Sequence, residues 1–278
     1  MAPAGIIGLT CFGGFAAWTL LISCTDSGLL PHYVFVGLHQ YHRLFSSGRW
    51  WTTLHNFGVF GALLLIGCTA LGYLLAALIN RRGETVSVYG ILFVLPMSIS
   101  FVVTGIVWQW LLNPSTGIQA MAHQLGWAGL HVDWLVRADR AIYTVAIAGV
   151  WQQTGMSMML FLAGMRAIDA NVWKAARVDG VSGWRLYMVV IAPMLCHVFG
   201  LNTILLVATL AKSFDLVVTL TAGGPGFASD LPARFVVEHI FERQELALGA
   251  AGACIILFLV IAALTPYRYL SLRSGSRQ

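Results

Sequence analysis

Apolar residues run through this chain in six long blocks, at about 5–24, 56–80, 91–113, 141–166, 195–222 and 246–267, and polar residues collect between them. Each block approaches or exceeds the roughly 20 helical residues that cross a bilayer core about 30 Å thick. The blocks are continuously apolar, which favours helices over the short alternating strands of a transmembrane barrel. The pattern predicts an all-α integral membrane protein, one domain over residues 1–278, with six transmembrane helices. Its most polar interruption, 167–193, lies between the fourth and fifth blocks and includes "NVWKAARVDGVSGWRLYMVVIAP" at 171–193.

Composition agrees with a lipid solvent. The 278 residues are 58% hydrophobic and 10% charged, whereas a soluble domain carries about a quarter charged residues. The first block opens "MAPAGIIGLT", with no Lys or Arg. It lacks the positive region of a signal peptide and reads as a retained span. Cysteines 11, 24, 68, 196 and 254 fall mostly in or beside spans without a CxxC pair, so they read as small packing residues. The eight histidines, His39 and His42 among them, have no carboxylates at ligand spacing, and no metal site is expected.

Charge sets an orientation. Segments 81–90, 166–194 and 268–278 share one side and hold nine of the sixteen Lys and Arg, against the acids Glu84, Asp169 and Asp179 only. The opposite side holds Arg43, Arg49, Arg137, Arg140, Arg234 and Arg243 against seven acids. Positive loops stay in the cytoplasm, so segment 167–193 and both termini are expected there. The net +5 then reflects topology and gives no reason to expect nucleic acid. Trp50, Trp51, Trp127 and Trp134 lie in the outer segments, where indoles favour the headgroup zone.

Segment 171–193 reads as two short helices. Asp169 or Asn171 can cap the first, since either side chain accepts from free N–H groups. Gly180 can take the left-handed conformation that ends it, Ser182 can cap the second, and Pro193 suits a first helical turn. Ala175 and Ala176 leave a flat face that another protein could approach closely. A connector lying on the membrane is the alternative. A nucleotide site of the chain's own is excluded: neither Lys174 nor Lys212, its two lysines, stands in the GxxxxGK frame followed by Ser or Thr. Energy for any active process must come from another subunit.

Polar groups inside spans are functional suspects, because charge there is costly. Lys212 and Asp215, with Asn202 in the same block, are three residues apart and could pair on one helix face. They read either as a structural ion pair near the outer boundary or as part of a polar path. Trp108 and Gln109 in the third block, and Trp151 and Gln152 in the fourth, could stack on and bond to a carbohydrate, or serve as interface anchors. "TAGGPG" at 221–226 must be a non-helical turn.

The polar segment resembles the cytoplasmic signature loop of permease subunits in binding-protein-dependent ABC importers. That pattern is Glu-Ala-Ala, three residues, Gly, nine residues, Ile, one residue, Leu-Pro; here stand Lys174-Ala175-Ala176, Gly180, Val190 and Ala192-Pro193 at matching spacing. "FVGLHQYHRLF" at 35–45, "GIVWQWLLNPSTGI" at 105–118, "FLAGMRAIDANVWKAARVDG" at 161–180 and "KSFDLVVTLTAGGPG" at 212–226 are similar to the sugar-type members, such as the maltose and glycerol phosphate permeases. The resemblance implies a coupling helix seated in an ATP-binding subunit, with Lys174, Ala175, Ala176, Arg177, Asp179, Gly180 and Pro193 at that contact. It also implies a second permease subunit, two ATP-binding subunits that hold the ATP and magnesium, and a periplasmic solute-binding protein delivering a sugar-like substrate. The chain itself would carry no cofactor and no catalysis, and would sit in the bacterial inner membrane.

Lys174 departs from the pattern. If Asn171 is the N-cap, a Glu at 174 would close a capping box, and a Lys there opposes the helix dipole by about 0.3–1 kcal/mol. Either the helix starts earlier or Lys174 meets a partner's carboxylate. The rival classes fit less well. An integral-membrane transferase needs an acidic metal cluster, but Glu84, Asp169 and Asp179 are scattered among arginines. A channel or proton-driven secondary carrier would show internal repeats or buried carboxylates, and only Asp215 qualifies.

Overall fold

The computed structural model describes residues 2–82, 86–127, 129, 133–181 and 183–275, so Ser182, Glu84 and Arg277 lie outside it. Among the described residues the chain is helical, apart from loops and one isolated antiparallel bridge, Thr25 to Phe35. Helix α1 is Ala2–Ser23, α2 His39–Ser46, α3 Gly48–Arg82, α4 Val86–Ser98, α5 Phe101–Leu111, α6 Ile118–Gln124 and α7 Ala141–Arg166. There follow α8 Ala170–Val178, α9 Gly183–Arg185, a π-helical turn Leu186–Ile191, α10 Ala192–Met194, α11 Cys196–Ala211 and α12 Phe214–Leu220. The chain continues through α13 Pro232–Val237, a second π-helical turn Glu238–Glu242 and α14 Leu246–Gly275.

Helices α3, α7 and α14 are each long and apolar enough to cross a membrane, and two bent pairs raise the number to as many as five. The second, fourth and sixth blocks are therefore single rods. The third is not: α4 and α5 meet at 104°. Pro96 has no N–H to give the helix, and the Ser100 side chain accepts from Val103 N, so a new helix starts where the old one stops. The fifth block also departs from one continuous helix. The run Gly183–Met194 meets α11 at 75°, and α11 ends at Ala211, with Lys212 as its C-cap and α12 starting at Phe214.

The centre of the fold is α3 packed along α7. Backbones come close because glycine faces the neighbour: a Cβ at Gly72 would lie 2.5 Å from Cβ of Ser157. Small residues allow such approach where lipid gives helices no hydrophobic reason to associate. Three apolar clusters follow α3 in order. Leu44, Trp50 and Phe235 gather at its start, Phe60, Leu64 and Leu216 at its middle, and Tyr73, Phe161 and Ile191 toward its end.

Candidate functional site

The polar segment 167–193 forms a foot at the far ends of α3 and α7. Asp169 Oδ1 accepts from Asn171 N at 2.8 Å, and α8 begins at Ala170, so Asp169 is the cap. Lys174 thus lies in the second turn, beyond the reach of a capping box, and the helix starts earlier, as one of the two expectations had it. At the other end Gly180 has φ of +67°, and Val181 N donates to Ala176 O at 3.1 Å, which closes the helix with a left-handed turn.

Packing divides the alanine pair. Ala176 is only 7% exposed and belongs to the cluster with Tyr73, Met165, Leu186 and Ile191, whereas Ala175 and Lys174 are exposed. The flat outward face therefore uses Ala175 alone, with Val178 87% exposed and Asp179 and Gly180 exposed beside it. Arg177 is in α8, but its side chain lies outside the described residues. Trp173 packs on Tyr187, with ring centroids 5.8 Å apart. Tyr73 donates to the Tyr187 main-chain oxygen at 2.5 Å, and Asn80 to the Tyr187 hydroxyl at 3.3 Å. Pro193, exposed in α10, removes the N–H that would bond the Val189 carbonyl, and the turn before it is π-helical. The foot is thus fastened to the long helices by a core and by directed hydrogen bonds.

The candidates within the spans do not form one cluster. Trp108 and Trp151 meet edge to face at 5.9 Å, with Gln109 exposed beside them. Gln152, one residue on, is buried; its Nε2 donates to Ile99 O at 2.6 Å, while Oε1 has no partner. Helix α4 broke at that point, and Gln152 satisfies a carbonyl the break released. Asn202 is fully buried and donates to Thr69 Oγ1 at 3.0 Å. Lys212 and Asp215 are both exposed and form no ion pair, because the break between α11 and α12 removes their common helical face.

An ion cluster at the opposite end from the foot escaped the sequence reading. Arg49, at the start of α3, contacts Asp230 Oδ2 at 2.7 Å and Glu238 Oε2 at 2.5 Å, and Asp230 is fully buried. Arg234 joins Asp230 at 3.2 Å and Arg243 joins Glu238 at 2.9 Å, while the Arg49 guanidinium lies 4.0 Å from the centre of the Phe227 ring. These cations hold the Glu238 carboxyl down at about 2, the Arg49 hydrogen bonds being the largest cause. The spacing Asp230, Arg234, Glu238, four apart, was a readable sign of part of it; Arg49, far off in sequence, gave none. The cluster secures the 221–226 turn, in which Ala222, Gly223 and Gly226 have positive φ and Ser229 Oγ donates to Gly224 O at 2.8 Å.

A bundle of lipid-length helices and two bent helix pairs, with a structured foot at one end, is the architecture of a multi-pass membrane protein. The chain belongs to the family of binding-protein-dependent transport system inner membrane components, whose model matches residues 68–274. It is 35% identical over 262 residues to an ABC transporter permease protein of Pyrococcus horikoshii, covering 94% of this chain and 90% of that one. It is 31% identical over 281 residues to the xylose/arabinose import permease of Haloferax volcanii, covering 98% of this chain and 86% of the relative. Its fold matches the crystal structure of a bacterial ABC transporter involved in import of the acidic polysaccharide alginate, with a TM-score of 0.83, 18% identity and coverage of 98% and 94%.

Proposed function

We propose that this chain is one of two permease subunits of an ATP-driven importer that takes a sugar-like solute from a periplasmic binding protein by alternating access. The observation that carries the reading is the foot: α8 turns Lys174, Ala175, Asp179 and Gly180 outward, while Ala176 and Trp173 anchor it to α3 and α7. A partner seated on such a foot moves long helices instead of bending a loop. The excess of basic residues on the foot's side supports a cytoplasmic position, within reach of ATP-binding subunits, and supports the same side for both termini.

Several relatives support the substrate class. Those named for xylose and arabinose, for trehalose and maltose, and for sn-glycerol-3-phosphate import match most of this chain. Within the spans, Trp108 and Trp151 would stack on the sugar's C–H faces. Gln109 would bond hydroxyls where α4 and α5 part, and the buried Gln152 would hold that break in place. Non-helical backbone inside a bilayer is tolerated where it lies against protein or lines a watery path, which agrees with a path at this break. Asn202, Lys212 and Asp215 would contribute polarity along α11 and α12.

The test is co-purification with an ATP-binding subunit of the same importer. A stoichiometric complex is expected, lost in Ala175→Trp, which fills the outward face without touching the core. A permease that transports without any ATP-hydrolysing neighbour, or an Ala175→Trp variant that still binds it, overturns the assignment of the foot.

A further inference from the structure

Residues 24–38 link α1 to α2 as a short hairpin. Asp26 N donates to Val34 O at 3.0 Å and Val36 N to Cys24 O at 2.9 Å. Ser27 Oγ closes the tip, accepting from His32 N at 3.0 Å and donating to His32 O at 2.9 Å. The hairpin is stapled to the start of α14, since Ala247 N donates to Ser27 O at 2.9 Å and Leu246 N to Gly28 O at 3.3 Å. These bonds to α14 fix the hairpin's position. Yet its free face is apolar: Leu29, Leu30, Tyr33, Val34 and Phe35 are all exposed, Phe35 to 76%.

We infer that this hairpin tip is an interfacial lipid anchor, inserted among the headgroups and upper acyl chains beside α1. Three observations choose lipid as the occupant. Between Asp26 and Arg43 the chain holds no Lys, Arg, Asp or Glu, whereas the 133–140 turn carries Asp133, Arg137, Asp139 and Arg140. The apolar face continues the exposed stripe of α1, where Phe15, Trp18 and Leu21 point away from the bundle. The two surfaces join at Trp18 and Tyr33, whose rings meet edge to face at 5.8 Å, and such aromatics favour the membrane boundary. The main-chain groups of Leu29, Leu30 and Tyr33 have no partner among the described residues, which suits the hydrated headgroup boundary and not the dry hydrocarbon core. Apolar area buried about 5–10 Å into the headgroup zone would fix the tilt of α1 and the height of the α14 start. The inference rests on the chain being membrane-embedded and does not depend on which side the foot faces.

The experiment uses the full chain with Cys11, Cys24 and Cys196 changed to Ala, and Leu30→Cys or Phe35→Cys carrying an environment-sensitive NBD label. Each is reconstituted in nanodiscs of phosphatidylcholine and phosphatidylglycerol, with and without dibrominated phosphatidylcholine. Both labels are expected to emit further to the blue than one at Asp139→Cys, and to lose intensity in the brominated lipid. Because both positions are exposed, folding should not be disturbed; labels at Leu29→Cys and Val34→Cys give a second pair. Emission equal to that at position 139 overturns the inference. A blue shift that appears only when a second permease or binding protein is added, and that brominated lipid does not quench, also overturns it, in favour of a protein occupant.

Discussion

Gln152, on α7, donates its side-chain N–H to the main-chain oxygen of Ile99, 2.6 Å away, at the bend where α4 gives way to α5. A broken helix leaves carbonyls without intrahelical donors, and one of them is met by a side chain from the central helix of the fold. Replacing Gln152 with Met removes that donor at similar length. Leaving a part-buried carbonyl unmade costs about 1–3 kcal/mol, offset in part because the unpartnered Oε1 goes too. The thermal midpoint in detergent should fall and solute uptake with it. A variant matching the parent in both would mean that the bend does not rely on this bond.

The Arg49 cluster should be the most sensitive point outside the core. Asp230 is fully buried, and removing its main cation leaves only Arg234 at 3.2 Å. Breaking a buried pair by deleting one partner typically costs about 3–5 kcal/mol, so Arg49→Met should lower the yield of folded protein sharply. Arg49→Lys should recover little of it, since a single ammonium cannot serve two carboxylates and lie against Phe227 together. Arg49→Met combined with Asp230→Asn should be more stable than Arg49→Met alone, as measured by thermal unfolding.

Acid should release the same cluster. The Glu238 carboxyl is held near 2 in the fold against an ordinary value of 4.5. A depressed carboxylate contributes stability that is fully present above its unfolded value and is lost as pH falls through its folded one. The stability gap between the parent and Glu238→Gln should therefore be constant from neutral pH down to about 5 and shrink between 4.5 and about 2. Unfolding midpoints of both proteins across that range measure it. A gap unchanged at pH 2 would contradict the cluster's geometry.

These properties differ in how legible they are in the sequence. Block positions follow from composition alone, and α7 runs from Ala141 to Arg166 just as its apolar block does. Breaks inside blocks are another matter. Pro96 and Ser100 are visible, but a proline and a serine in an apolar run fit a kinked helix as well as a sharp bend. What makes the bend tenable is Gln152, remote in sequence. The foot was legible because its signals are local: Asp169 or Asn171 as cap, Gly180 as terminator, Pro193 in a first helical turn. Whether Ala175 or Ala176 faced outward was hidden, because it depends on Tyr73 and Met165 arriving from α3 and α7. The Lys212–Asp215 ion pair, one of two readings, failed because of a break in the helix. Spacing of three implies a shared face only while one helix continues, and the chain stops α11 at Ala211.

Gly180 has open space around it, so a Cβ there meets no atom within 4 Å. Its positive φ is the constraint. An L residue in the left-handed region costs about 1–2 kcal/mol, and Asn less than Ala. Gly180→Ala should loosen the end of α8 and weaken recovery of the ATP-binding subunit, while Gly180→Asn keeps more of it. The spans, folded independently of this turn, should leave membrane insertion equal in all three. Equal recovery by Ala and Asn variants would mean that the turn's conformation plays no part in docking.

Lys174 separates two explanations that its sequence position alone leaves together. Since Asp169 caps α8 and Lys174 stands in the second turn, exposed and without an ion pair among the described residues, a Glu there gains no capping bond, and the dipole near the helix start favours it only weakly, by a few tenths of a kcal/mol. Lys174→Glu should accordingly leave the stability of the isolated chain unchanged. Any effect must then arise at a neighbour. If Lys174 faces a carboxylate on the ATP-binding subunit, the reversal places two negative charges together, and complex recovery and ATP hydrolysis stimulated by solute should both fall. A charge reversal of the facing acid to Lys should restore them. Unchanged recovery and stimulation in Lys174→Glu would show that docking uses the shape of the Ala175 face and not the charge beside it.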